Sequence, residues 1–171
     1  LLVLPGDGDL KDVQVKLVDA GFWKVFQFAF VDGKPFSQAD FDSGLRKAVI
    51  SRTMARQLFG ETPPVGRTFV LDSDEYRVCG VVKDVSFITP ATYADIWLPL
   101  TVDSDIIKDN KGGYELVGDL NVYMLAPSVD AKDKVITEVR DVFRKYNYSQ
   151  KKYSVDLHGQ PVSYWKSIFY E

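Results

Sequence analysis

Apolar residues change their period along this chain, and that change limits the folds open to it. Val13, Val15 and Leu17 alternate with Gln14 and Lys16, and Phe26, Phe28 and Phe30 alternate with Gln27 and Ala29, the period of half-buried strands. Between these two predicted strands, Ala20 to Val25 fits one helical turn, and Asp32-Gly33 closes the second strand. Ser37, three residues before Asp40, forms a capping-box pattern with an acidic partner and predicts a short helix over residues 38–42. Ala48-Val49-Ile50 then runs into Ser51, a candidate N-cap for a helix carrying Met54, Ala55, Leu58 and Phe59, with Gly60 after its end. Thr68 to Leu71 and Tyr76 to Val82 predict a hairpin joined by Asp72-Ser73-Asp74-Glu75, and Ile96-Trp97-Leu98 a strand stopped by Pro99.

Beyond the polar stretch from Thr101 to Gly113, which reads as a loop or a domain boundary, the order becomes strand, helix, strand. The strands are Leu120 to Leu125 and Tyr153 to Leu157. The helix, Ala131 to Tyr146, has Asp130 as candidate N-cap and an apolar stripe of Val135, Ile136, Val139, Val142, Phe143 and Tyr146. The whole is an α+β pattern with a βαβ unit in its second half. The chain begins at Leu1 and ends in Tyr164-Trp165-Lys166-Ser167-Ile168-Phe169-Tyr170-Glu171, which together suggest a piece of a longer protein. That closing run suits a segment nearing a membrane interface or a docked terminal helix.

Composition closes off several function classes. The 171 residues carry 21 Lys plus Arg against 24 Asp plus Glu, interspersed, so no basic patch points to nucleic acid. The longest stretches free of charge, Val85 to Ala94 and Leu120 to Val129, fall well short of the ~20 apolar residues of a membrane span. One Cys excludes an internal disulfide, and one His excludes a His-rich zinc site.

The remaining candidates for chemistry each have a simpler structural reading. Gly6-Asp7-Gly8 lacks the third glycine of a dinucleotide loop, and there is no Walker A sequence. Asp72, Asp74 and Glu75, and likewise Asp103, Asp105 and Asp109, have spacings that a calcium ion uses but lack the rest of a calcium loop, so solvated loops are expected. Cys79 sits in the most apolar strand and reads as core; no local pattern pairs it with His158. Ser51 lacks the glycines of a nucleophile elbow, and capping accounts for it. Asn147-Tyr148-Ser149 matches a glycosylation acceptor and is given no role. Phe22, Trp23, Phe26, Phe28 and Phe30 could line a ligand groove, but their spacing favours core. No catalytic, metal-ligating or cofactor-binding residue is therefore assigned, and no cofactor is expected.

Taken in order, six of these segments resemble the extracytoplasmic core domain of MacB/FtsX-type ABC transporter permeases. They are Gly21-Phe22-Trp23-Lys24-Val25-Phe26; Gly33-Lys34-Pro35-Phe36-Ser37 with Asp40; Ala48-Val49-Ile50-Ser51 with Met54-Ala55 and Leu58-Phe59-Gly60; Val65-Gly66-Arg67-Thr68; Tyr76 to Asp84; and Ile96-Trp97-Leu98-Pro99. The resemblance implies a β-rich sabre-like subdomain over residues 35–115, a porter-like βαβ subdomain from residues 1–34 and 116–158, and a segment 159–171 leading toward a membrane span. It implies a non-catalytic domain on the extracytoplasmic, periplasmic face of the bacterial inner membrane, recognising cargo or a partner and transmitting ATP-driven movement. The implied partners are the membrane-spanning part of the same permease, an ATP-binding subunit or domain, a second permease copy, and a periplasmic adaptor, lipoprotein or peptide. Family members act in efflux, lipoprotein release and signalling to cell-wall enzymes, and the residues do not choose among these. The alternative is a free-standing soluble ligand-binding or adaptor domain, distinguished by a reading frame without flanking apolar spans. A hydrolase using Cys79 or a carboxylate pair is the third reading.

Overall fold

A computed structural model describes residues 2–4 (backbone only), 11–103, 121–149 and 161–163. The chain divides into two compact units, Leu1–Gly113 and Tyr114–Glu171. The division falls at the end of the polar stretch where a boundary is expected.

The first unit is built on one mixed sheet of eight strands: β1 (Leu2–Leu4), β2 (Lys11–Asp12), β3 (Val15–Val18), β4 (Phe30–Gly33), β5 (Lys47–Ser51), β6 (Thr68–Leu71), β7 (Asp74–Val82) and β8 (Ile96–Pro99). Their order is β2-β1-β6-β7-β5-β8-β3, with β4 also pairing with β7. Strands β5 and β7 are parallel, as are β3 and β8, and the other pairs are antiparallel. The strands that the resemblance places in a porter-like part within residues 1–34, β1 to β4, are thus hydrogen-bonded into the same sheet as β5 to β8. Ladder bonds from β8 to β3 and from β7 to β4 hold residues 15–33 there.

Whereas β6 alternates exposed and buried residues, both faces of the sheet are covered along β5 and β8, which is why these strands read as unbroken apolar runs. Alternation then sorts their side chains between two cores. Ala48, Ile50, Ile96 and Leu98 face one side with Phe69, Leu71, Tyr76 and Val78, where the helix α3 (Arg52–Phe59) lays Met54 and Ala55. Val49, Val82 and Trp97 face the other side, where α1 (Phe22–Phe26) contributes Phe22 and Trp23, and Phe36 joins them.

One irregularity decides how β7 serves both cores. Val78 and Val81 lie on the same face although they are three positions apart, an odd spacing that an unbroken strand forbids. The register against β5 shifts between Ala48 and Val49, pairing Val78 and then Gly80, so Cys79 is the extra residue of a bulge. The Cys79 carbonyl accepts from the Lys34 N–H at 3.0 Å. That contact requires Gly33, at φ +63°, where a Cβ would stand 2.3 Å from the Cys79 oxygen. A Cβ on Gly80 would stand 2.6 Å from the Lys34 oxygen.

The helix α2 (Gln38–Asp42) carries the expected capping box: the Ser37 Oγ accepts from the Asp40 N–H, and the Asp40 carboxylate accepts from the Ser37 N–H. The second unit contains α4 (Val129–Ser149).

Several expectations need correction. The alternation of Phe26, Phe28 and Phe30 is not a strand: Phe26 ends α1, Gln27 turns left-handed at φ 48°, and β4 starts only at Phe30. All three rings still reach one cluster, which is what imitates a period of two. The β6–β7 connection is two residues, not four, because Asp72 and Ser73 both take positive φ, as the hairpin turn matching strand twist requires. Pro99 is the last residue of β8 rather than lying beyond it. Residues 121–125 are not in a strand, so the first strand of the proposed βαβ unit is not found there, while Tyr153 to Leu157 lies outside the described residues. The N-cap of α4 is Ser128, not Asp130: its Oγ accepts from the Ala131 N–H at 3.1 Å, and its carbonyl from the Lys132 N–H at 3.0 Å. The predicted stripe on α4 is only half-buried at Val135, Ile136, Val139 and Phe143, and Val142 and Tyr146 are exposed.

Candidate functional site

Among the described residues, those weighed for chemistry are held in structural roles rather than brought together. Ser51 is buried, and its Oγ accepts from the Met54 N–H at 3.0 Å, so it is occupied as the cap of α3. The Cys79 thiol donates to the Ala48 carbonyl at 3.3 Å, and burial pushes its pKa up to about 11, the reverse of an activated nucleophile. It is half-buried rather than wholly enclosed. Asp74 pairs with Arg46 at 3.0 Å beside the hairpin turn. Among the described residues no group of three His, Cys, Asp or Glu side chains could hold a metal ion. Asn147-Tyr148-Ser149 lies within α4, with Tyr148 exposed. His158, Asp105, Asp109 and Gly6-Asp7-Gly8 lie outside the described residues.

The aromatic set is brought together. Trp23 stands at its centre, edge-on to Phe28 at 5.3 Å, Phe22 at 5.4 Å, Phe36 at 5.5 Å, Phe30 at 5.7 Å and Trp97 at 6.3 Å. Phe22, Trp23, Phe36 and Trp97 are buried, whereas Phe26, Phe28, Phe30 and Phe41 form a half-buried rim.

From this cluster rises a connection that sequence reading passes over, residues 83–95 between β7 and β8. It is anchored along its length. The Asp84 carboxylate accepts from the Thr53 N–H in the first turn of α3 at 2.9 Å, and the Asp95 carboxylate accepts from the Gln14 N–H at 2.9 Å. The Lys16 ammonium donates to the Pro90 carbonyl at 2.9 Å, and burial lowers its pKa. The Trp97 Nε1 donates to the Thr92 carbonyl at 3.2 Å. Within the tip, Thr89 turns back onto the Ser86 carbonyl through both its N–H and its hydroxyl.

This bonded frame presents Phe87 at 77% exposure and Ile88 at 63%. Two adjacent large apolar side chains left in water forfeit the energy that burial would give. The ten residues from Val85 to Ala94 contain no charge, so no ionised group there opposes desolvation. The signal available in the sequence is that charge-free run, too short for a membrane span but long enough for a contact loop.

No helix among the described residues is long and apolar enough to cross a membrane. The profile of the MacB-like periplasmic core domain matches residues 3–142. The chain is 26% identical over 91 residues to a protein of Bacillus subtilis (strain 168) named as an uncharacterized ABC transporter permease, YknZ, covering 53% of this chain and 23% of that protein. It is 34% identical over 67 residues to the pyoverdine export ATP-binding/permease protein PvdT of Pseudomonas savastanoi pv. phaseolicola (strain 1448A / Race 6), covering 39% of this chain and 10% of that protein. The chain therefore matches about a quarter of the one relative's length and a tenth of the other's. Its fold is similar to the extracellular domain of YknZ, described as a noncanonic ABC-type transporter from Gram-positive bacteria, with a TM-score of 0.60, 22% identity, and coverage of 91% of this chain and 75% of that one. It is also similar to the periplasmic region of MacB from Actinobacillus actinomycetemcomitans, with a TM-score of 0.57, 17% identity, and coverage of 82% and 62%.

Proposed function

The chain belongs to the MacB-like periplasmic core domain family, and on that premise we propose that it is the non-catalytic extracytoplasmic domain of an ABC transporter permease, which recognises cargo or a partner and passes on movement driven by ATP. The observation that carries this reading is the family match across residues 3–142. The occupied state of Ser51 and the raised pKa of Cys79 support a role without catalysis. The exposed pair Phe87 and Ile88 supports recognition, and we assign contact with a partner protein to that tip.

In this reading the domain is joined to the membrane-spanning part of its own permease. An ATP-binding subunit or domain drives it, a second permease copy completes the assembly, and an adaptor, lipoprotein or peptide meets it outside the cytoplasm.

The test uses the complete parent permease with its ATP-binding partner. Its reading frame is expected to encode apolar runs of about 20 residues flanking this segment. Tyr148→Cys, in a Cys79→Ser background, is expected to react with a membrane-impermeant maleimide in spheroplasts. Phe87→Ser with Ile88→Ser is expected to leave the fold and basal ATP hydrolysis unchanged and to abolish transport. A reading frame without flanking runs, or a Tyr148→Cys variant that the maleimide does not label from outside, overturns the permease reading and favours a free-standing ligand-binding domain. Unimpaired transport by the double variant overturns the assignment of the tip alone.

A further inference from the structure

Trp23 is 6% exposed, and its Nε1, fully enclosed, donates to no acceptor. Trp97, in the same cluster, gives its N–H to the Thr92 carbonyl. A buried donor without an acceptor is uncommon and costly, and calls for a reason. The hydrophobic side chains packed with it are aromatic or aliphatic, apart from the thiol of Cys79. On one side the cluster reaches solvent through Phe26, Phe28 and Phe30. The backbone there is irregular: α1 is five residues long, Gln27 leaves it at φ 48°, and residues 27–29 belong to no helix or strand.

We propose that the aromatic cluster is a binding site for a small, uncharged aromatic molecule carrying one hydrogen-bond acceptor, which enters past Phe28 and takes the N–H of Trp23. The edge-on rings supply apolar contact from several directions, and an apolar lining favours a neutral ligand, since burying a charge against it is costly. The free N–H supplies the one directional requirement. Displacing the ring of Phe28, which is already partly in water, opens the path without breaking a ladder hydrogen bond of the sheet. This site is separate from the loop tip, and its test uses the 171-residue chain alone, so it stands or falls independently of the permease reading.

The experiment titrates the chain with prodan, a neutral naphthalene bearing a ketone, and with 2-(dimethylamino)naphthalene, the same ring system without the ketone. Wild type is expected to bind prodan saturably and the ketone-free probe about fivefold or more less tightly, the worth of one hydrogen bond. Trp23→Phe, which keeps a ring and removes the N–H, is expected to bind the two probes alike. In an indole nitrogen–proton spectrum, the resonance missing from Trp23→Phe is expected to shift when prodan is added to wild type. Phe28→Ser, at the rim, is expected to weaken both probes. Equal affinities in wild type, no saturable binding, or an unmoved Trp23 resonance each overturn the proposal. The first two are read on wild type alone, so they hold even where a variant fails to fold.

Discussion

Asp84 ends one of the segments that resemble the family, and the structure gives it a mechanical task that can be weighed. A helix begins with N–H groups that have no intrahelical partner. In α3 the Ser51 Oγ takes the Met54 N–H at 3.0 Å, and Asp84 reaches from the end of β7 to take the Thr53 N–H at 2.9 Å. Loss of one capping acceptor costs about 1 kcal/mol, and a carboxylate near a helix N-terminus adds roughly 0.3–1 kcal/mol. Asp84→Ala should therefore cost about 1–2 kcal/mol, and Asp84→Asn, which keeps an acceptor without the charge, less than about 1 kcal/mol. Ser51→Ala should cost about 1–2 kcal/mol, at the upper end because its site is buried. The assay is urea unfolding followed by circular dichroism, where the midpoint falls and the slope stays constant. The same losses lower Tm by roughly 2–8 °C per kcal/mol, depending on the size of the cooperative unit. An Asp84→Ala chain as stable as wild type, or Asp84→Asn as damaging as Asp84→Ala, would refute the capping argument and return Asp84 to the residues whose role lies elsewhere.

Gly80→Ala and Gly33→Ala should each destabilise by about 1–3 kcal/mol or more, since the added Cβ meets backbone at 2.6 Å and 2.3 Å; Gly44→Ala, where the space is open and only φ +62° resists, should cost about 1 kcal/mol in the same urea assay. The Asp40 carboxyl is held down from the usual 3.8 to about 2, first by the hydrogen bond from Lys47 and then by the Ser37 N–H. Its folded-state pKa lies below the unfolded value, so its contribution is present above about pH 4 and is lost as pH falls through 2; Asp40→Asn should flatten the pH dependence of stability across that window, and an unchanged profile would refute the coupling. With its pKa near 11 against an ordinary 9.0, Cys79 carries about 100-fold less thiolate at neutral pH, so native protein should react with Ellman's reagent at least about tenfold more slowly than the same chain in urea. Equal rates would show that the thiol is not held as described.

Much of the local structure was legible because its causes are local. The capping box of Ser37 and Asp40, the Ser51 cap, and the helices at 22–26, 38–42 and 52–59 follow from neighbours within a few residues, and the structure has all of them. The family resemblance was also readable, because its motifs mark turns and close approaches that demand particular residues: Gly33 and Gly80 meet at one bulge, and Asp84 reaches α3. Local logic failed where two influences compete. Ser128 rather than Asp130 caps α4 because either can cap, and the start of the helix is set by where the preceding chain leaves it. Phe26, Phe28 and Phe30 mimicked a strand because convergence on one core and alternation on one strand face leave the same pattern.

The sequence by itself determined the α+β composition, the caps at Ser37 and Ser51, the lack of a long apolar run and the lack of a usual zinc site, all of which depend on residue type and near spacing. Tertiary structure alone decided the rest. Which strands share a sheet, that Cys79 is a bulge residue, that Asp84 serves a helix thirty-one positions away in sequence, and that Trp23 is enclosed without an acceptor are consequences of long-range pairing. Such pairing is set by how two whole faces pack, and the same alternating residues are compatible with several registers until that packing selects one.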